Sequence, residues 1–174
     1  MARSRTEQDA RFEEATVFAP AISRLARGYE ANPDRQRDLV QDIHLALWRS
    51  FAQFDGRCSL RTWVYRVAHN IGASHILKER RAGTARWIGL DHAEDLPGGA
   101  DIEAGLQYKQ MQARLLALIQ RLEPPDRQII LLYLDGLDAA AIGEISGVTP
   151  AHVAIRIQRL KALLGRHHQQ GAAK

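Results

Sequence analysis

The sequence predicts an all-α chain of two small helical domains joined by a flexible acidic linker. Three observations carry this. Apolar residues recur at spacings of three and four almost throughout, with no convincing two-residue alternation, so helices are expected and a sheet is not. Charge is unevenly placed: residues 1–88 carry a net +5, residues 89–106 a net −5 with no basic side chain, and residues 107–174 a net +4. The acidic stretch also holds Pro97-Gly98-Gly99, a strong breaker. The expected organisation is an N-terminal tail over 1–11, helical domains over 12–88 and 107–166 flanking a linker over 89–106, and a C-terminal tail over 167–174.

The elements follow in order. Phe12, Ala15, Ala19, Ile22, Ala26 and Tyr29 mark one face of a first helix. Leu39, Ile43, Leu47, Phe51 and Phe54 mark a second, over about Arg35 to Gln53, and Leu60, Val64, Val67 and Ile71 a third. Gly72 weakens that third helix by roughly 1 kcal/mol relative to Ala. Beyond the linker, Leu115, Leu118, Ile119 and Leu122 form a stripe ended by Glu123-Pro124-Pro125, and Ile129 to Leu134 belongs to the next helix.

The sharpest local signal runs from Gly136 to Pro150. Asp138 is a plausible N-cap for a short helix that ends near Ser146. Gly147 can take the left-handed conformation that stops it, and Val148 plugs the corner. Thr149 caps the next helix and Pro150 opens it, where a missing N–H costs nothing. This is a helix-turn-helix written in capping chemistry. On its second helix Val153, Ile157, Leu160 and Leu164 face the core, whereas Ala151, Ile155, Gln158, Arg159 and Arg166 point outward, with Ala154, Arg156 and Lys161 on the flanks. Gln and Arg can read base edges in a major groove while Arg156 and Lys161 hold phosphates. A plain solvated helix is the other arrangement this pattern allows.

Two surfaces of the first half also stand out. Opposite the core stripe of the second helix lie Asp38, Gln41, Asp42, Leu45, Trp48 and Arg49. An apolar centre with an acidic rim is costly to leave wet and fits a protein-docking face. Alternatively, Trp48 folds back under a neighbouring helix and the acids are merely solvated. The third helix follows the loop Asp55 to Ser59 and is expected to carry Tyr65, Arg66 and His69 outward, with Trp63 and Asn70 at the edge of the core stripe. Rings stack on bases, cations follow a backbone, and amides recognise a splayed base, as single-stranded nucleic acid requires. The alternative is a core Trp and Tyr beside a solvated basic helix.

Composition bounds the rest. Of 174 residues, 45% are hydrophobic and 25% charged, a globular balance, and 24 basic against 20 acidic side chains give a net +4 that permits a nucleic-acid partner. The single cysteine, Cys58, excludes an internal disulfide and reads as a small semi-buried thiol in preference to a redox centre. No phosphate-binding Gly loop, metal-spaced cluster or nucleophile motif appears, so neither an enzyme nor a cofactor is expected, and His167-His168 reads as solvated. The longest apolar run, Ile129 to Leu134, is too short to span a bilayer, and no secretory signal precedes it, so an intracellular protein without membrane insertion is expected.

Four motifs in register then carry a resemblance. Asp38-Leu39-Val40-Gln41-Asp42, Phe54 with Thr62-Trp63-Val64-Tyr65-Arg66-Val67-Ala68-His69-Asn70, Leu122-Glu123-Pro124-Pro125-Asp126-Arg127, and Gly136-Leu137 through Arg159 resemble bacterial RNA polymerase sigma factors. The similarity is to the short extracytoplasmic-function class, which keeps sigma regions 2 and 4, and it spans most of residues 12–164. It implies that Asp38, Gln41, Asp42 and Leu45 dock on the clamp helices of the polymerase largest subunit, with a further contact to the beta flap. It implies that the Phe54, Cys58 and Ser59 loop, with Trp63, Tyr65, Arg66 and Asn70, captures an extruded minus-ten base. Ala154, Ile155, Gln158 and Arg159 would read the minus-thirty-five duplex, with Arg156 and Lys161 beside them. A cytoplasmic factor, monomeric when free and held by an anti-sigma factor, is implied. The rival is a helix-turn-helix regulator acting without polymerase, which leaves the docking acids and the Trp63–Asn70 cluster unused.

Overall fold

The computed structural model describes residues 5–83 and 104–172, and among them every regular element is helical. The N-terminal unit comprises α1 (Arg5–Ala15), a 3₁₀ turn (Thr16–Phe18), α2 (Ala19–Tyr29), α3 (Pro33–Ser50) and α4 (Leu60–Arg81). The C-terminal unit comprises α5 (Ala104–Ile119), α6 (Pro124–Leu134), α7 (Ala139–Ser146) and α8 (Pro150–Ala172). Residues 89–103 of the acidic stretch lie outside the described residues, and α5 begins within the remainder of it. Helix also starts at Arg5, inside the stretch read as a tail, and α8 continues through Ala172.

The stripe from Phe12 to Tyr29 is two helices rather than one. Pro20 has no N–H to return to the carbonyl of Thr16, so the chain tightens there into a 3₁₀ turn, and the Ala19 N–H takes that carbonyl instead. The second helix starts earlier than its apolar stripe, because Asn32 caps it. The Asn32 side chain accepts from the N–H groups of Asp34 at 2.9 Å and Arg35 at 3.1 Å, with Pro33 at the first helical position. Leu39, Ile43 and Leu47 of α3 are each at most 1% exposed, and each contributes about 1.5–3 kcal/mol by burial.

The face of α4 differs from the expected one. Tyr65 and His69 are buried, not outward. The buried face is rotated from the expected stripe: His69 packs against Tyr29 of α2 and Tyr65 against Phe18 and Asp135 at the end of α6, whereas Leu60, Val67 and Ile71 are only partly buried. The buried apolar residues of both units accordingly form one continuous cluster. Gly72 has a packing reason, since a Cβ there would lie 2.7 Å from the ring of Tyr29. In α8 the core face includes Leu163, with Leu164 only partly buried.

Candidate functional site

The helix-turn-helix is built as its capping residues dictate. The Asp138 carboxylate accepts from the Ala141 N–H at 2.8 Å, and Gly147 closes α7 in the left-handed region with φ of 75°. The two helices meet closely: a Cβ on Gly143 would stand 2.6 Å from the carbonyl oxygen of Val148. Val153, Ile157 and Leu160 anchor α8 inward, so Ala151, Ala154, Ile155, Gln158 and Arg159 are exposed on one side. Ile155 is 50% exposed, a large apolar side chain standing in the middle of a polar face. The two flanking cations are engaged within the fold. Arg156 pairs with Asp126 at 2.9 Å, and the Lys161 ammonium donates to the Tyr133 hydroxyl at 3.2 Å and lies over its ring.

The second constellation gathers where α3 passes to α4. Asp55 accepts from the Arg57 N–H at 3.1 Å and pairs with its guanidinium, while Gly56 turns the chain with φ of 80°. Ser59 caps α4 through the Thr62 N–H at 3.0 Å. Trp63 donates its indole N–H to Ser50 at 2.8 Å and its ring lies 5.2 Å from that of Phe54. Phe54 is itself buried, whereas Trp63 and Cys58 are partly buried and Ser59 is exposed. Asn70 is exposed and sits seven residues beyond Trp63, two turns along the same helix face. Tyr65 and Arg66, grouped with these in the sequence, instead face the C-terminal unit. Arg11 was not singled out, yet its guanidinium lies 5.9 Å from the Phe54 ring; no pattern in α1 marks it.

On the outer side of α3, Asp38, Gln41, Asp42 and Leu45 are exposed together, Leu45 at 47%. Trp48 leaves this face: its indole N–H donates to Asp9 of α1 at 2.8 Å. The acidic rim and apolar Leu45 remain on the surface without it.

The sigma-70 region 2 model matches residues 16–82, and the sigma-70 region 4 model matches residues 112–164. The chain belongs to the extracytoplasmic-function class of RNA polymerase sigma factors. Among curated relatives, the probable RNA polymerase sigma factor RfaY of Xanthomonas campestris is 26% identical over 151 residues, covering 84% of this chain. The chain spans 36% of the length of that relative. The extracytoplasmic-function sigma factor SigW of Bacillus subtilis is 25% identical over 160 residues, covering 88% of this chain and 86% of its own length. Among solved structures, the sigma factor RpoE of Bartonella quintana, in complex with the anti-sigma factor NepR, shares the fold with a TM-score of 0.66 at 20% identity, covering 90% of this chain and 95% of that one.

In this sigma factor a buried polar line runs between the two matched regions. Arg127 of α6 is 1% exposed, donates to the carbonyl oxygens of Gln120 and Leu122, and lies 5.7 Å from the Tyr29 ring. Burial lowers its pKa to about 10, which leaves it charged at neutral pH. Tyr29 shares a 2.8 Å hydrogen bond with Nδ1 of His69. Burial pushes His69 down to about 3, so the ring is neutral at physiological pH. Tyr65 stacks near His69 and donates its hydroxyl to Asp135; burial, then that carboxylate, pushes its pKa up to about 12.

One cluster has the spacing of a metal site. Ligand atoms of Glu30, His75 and Glu79 lie within 4.8 Å of one another. The Arg35 guanidinium already supplies the cation, at 3.3 Å from Glu30 and 2.5 Å from Glu79. Burial would raise the Glu30 pKa, but the Asn32 N–H, His75 and Arg35 outweigh it and hold the carboxyl below its usual range. The cluster thus ties the end of α2 to α3 and α4. No helix among the described residues is long and apolar enough to cross a membrane.

Proposed function

We propose that this chain is an alternative sigma factor that binds core RNA polymerase, recognises minus-ten and minus-thirty-five promoter elements, and promotes melting for initiation. The observation that supports it most is the presence of regions 2 and 4 in order, each presenting an exposed constellation of the matching chemistry. Asp38, Gln41, Asp42 and Leu45 offer the acidic, apolar-centred face that would dock on the clamp helices of the polymerase. The Phe54–Ser59 loop with Trp63 and Asn70 would take an unstacked base: the half-buried indole stacks, and the exposed amide reads its edge. Ala154, Ile155, Gln158 and Arg159 would face the duplex at the minus-thirty-five element, with Ile155 suited to a thymine methyl. Arg156 and Lys161 would reach phosphate with the N–H donors left free by the single intramolecular partners they hold here.

The SigW, RfaY and RpoE likenesses support a cytoplasmic factor whose partners are core polymerase, promoter DNA and an anti-sigma protein. The test is reconstitution with core polymerase on fragmented genomic DNA. Transcripts that start only when the chain is added are expected, and their absence refutes the assignment. Within that assay Asn70→Ala is expected to impair open-complex formation on duplex roughly tenfold more than on a pre-melted bubble, the size of a weakened base-capture step. Equal loss on both templates would make Asn70 a structural residue.

A further inference from the structure

A cavity of about 490 Å³ is enclosed by α2, α4, α5 and α6. That volume is in the range of small-molecule sites, which are mostly apolar with a few convergent polar groups. Leu25, Leu115, Leu116, Ile119 and Leu131 supply apolar wall. None of the residues proposed above to meet polymerase or DNA lines it.

Its polar groups point to one kind of ligand. His69 is 2% exposed and lines the cavity. Its Nε2 is the one buried side-chain nitrogen or oxygen among the described residues that lacks a hydrogen-bond partner. The tautomer follows from the neighbour on the other nitrogen. The Tyr29 hydroxyl meets Nδ1 at 2.8 Å and has no other acceptor among the described residues, so it donates to Nδ1. Burial keeps the ring neutral, so its one N–H is at Nε2. Nε2 lies on the ring edge away from Tyr29, and Tyr29 is not part of the cavity wall. A buried N–H without an acceptor is costly, and this edge calls for an oxygen.

The surrounding charge selects among oxygens. Arg24, Arg27 and Lys109 line the cavity against one carboxylate, that of Asp135. Asp135 is held by Arg24 at 2.6 Å and by the Tyr65 hydroxyl, so Arg27 and Lys109 set the field that a ligand meets. That field favours an anion.

We propose that this cavity binds a small monocarboxylate with an apolar body. Its carboxylate accepts from the Nε2–H of His69 in the field of Arg27 and Lys109, and its body lies against Leu25, Leu116 and Ile119. The four helices that form the wall come from both units, so one ligand touches both.

The experiment uses the full chain, with decanoate as the probe and decylamine as a cation of the same length. Titration calorimetry is expected to show one decanoate bound per chain, and decylamine at least about tenfold weaker. His69→Phe keeps a ring and removes the donor, and should weaken decanoate about tenfold, as loss of a hydrogen bond to a charged group does. Arg27→Ala with Lys109→Ala, both at exposed positions, should weaken it about fivefold, the effect of two exposed charges. Nuclear magnetic resonance of isotope-labelled histidine in the wild type needs no substitution: the Nε2–H of His69 should shift as decanoate saturates. If His69→Phe fails to fold by circular dichroism, that shift decides. The proposal is overturned by the absence of saturable decanoate binding, by an unmoved Nε2–H at saturation, or by unchanged affinity in a folded His69→Phe. Decylamine binding as tightly as decanoate would overturn the choice of an anion.

Discussion

The two helices proposed to face DNA are presented in opposite ways. On α8 the proposed reading face is open: Ala154, Ile155, Gln158 and Arg159 are exposed, and the flanking Arg156 and Lys161 hold partners within the fold. On α4 the Trp63 and Asn70 side is accessible, but Tyr65 is buried and Arg66 is engaged by the C-terminal unit. Both helices carry cations and polar side chains at helical spacing. The difference lies in what covers them. The α8 face is defined by its own caps and by core residues a few positions away, whereas the α4 face is defined by α6 and α7, which arrive from more than 50 residues further along the chain. A local pattern can define an exposed face, and it cannot reveal a cover delivered by a distant segment.

The comparison can be broken most forcefully on the exposed outer side of α3, opposite its buried Leu39, Ile43 and Leu47. Asp38→Lys with Asp42→Lys should abolish co-elution with core polymerase, a loss of a hundredfold or more, equivalent to about 3 kcal/mol. The helical circular dichroism should remain unchanged, because both carboxylates are exposed. Retained co-elution would remove the docking face from the N-terminal unit.

Gly72 gives the next largest effect. Helix propensity alone says that Gly72→Ala should stabilise α4 by roughly 1 kcal/mol. Packing says the reverse, because the new methyl would press on the Tyr29 ring at 2.7 Å, and Tyr29 is held by His69 and Arg127. A net loss of about 1–3 kcal/mol in denaturant unfolding is expected. A gain in stability would show that α2 and α4 are less tightly joined than described.

His69 sharpens the contrast through pH. Its folded-state pKa of about 3 is depressed below the unfolded value of 6.5 by burial. The stabilisation is therefore complete above about pH 6.5 and is lost as pH falls. Between pH 7 and pH 5 this group alone should cost about 2 kcal/mol of unfolding free energy. His69→Phe should lose that portion of the slope, and a slope identical to wild type would place His69 in contact with water.

The smallest effect belongs to the C-terminal unit. Asp138→Ala removes the cap on the Ala141 N–H and should lower stability by about 1 kcal/mol, read in thermal unfolding. No change would mean that the α7 N-terminus is satisfied without it.

Much of the fold was legible because its signals are short-ranged. Asp138, Gly147, Thr149 and Pro150 encode the helix-turn-helix, the first three through hydrogen bonds to groups no more than four residues away, and the structure reproduces that arrangement. The acidic, Leu45-centred face of α3 was legible from periodicity, although Trp48 leaves it for Asp9. The break at Pro20 was missed because apolar spacing continues across it, even though proline alone forbids the hydrogen bond. Ser59 and Phe54 fall in the loop proposed for base capture, yet the burial of Phe54 against Trp63 depends on how α3 and α4 cross.

The sequence by itself determined the all-helical class, the caps of the helix-turn-helix and the outward side of α8, because backbone hydrogen bonding and side-chain periodicity act within one or two turns. Only the tertiary structure decided that Tyr65 and His69 are inside, that Gly72 is a seat for Tyr29, and that Asp135 reaches Arg24. Burial is a property of the surface that arrives to cover a residue, and here that surface is contributed by a segment remote in sequence.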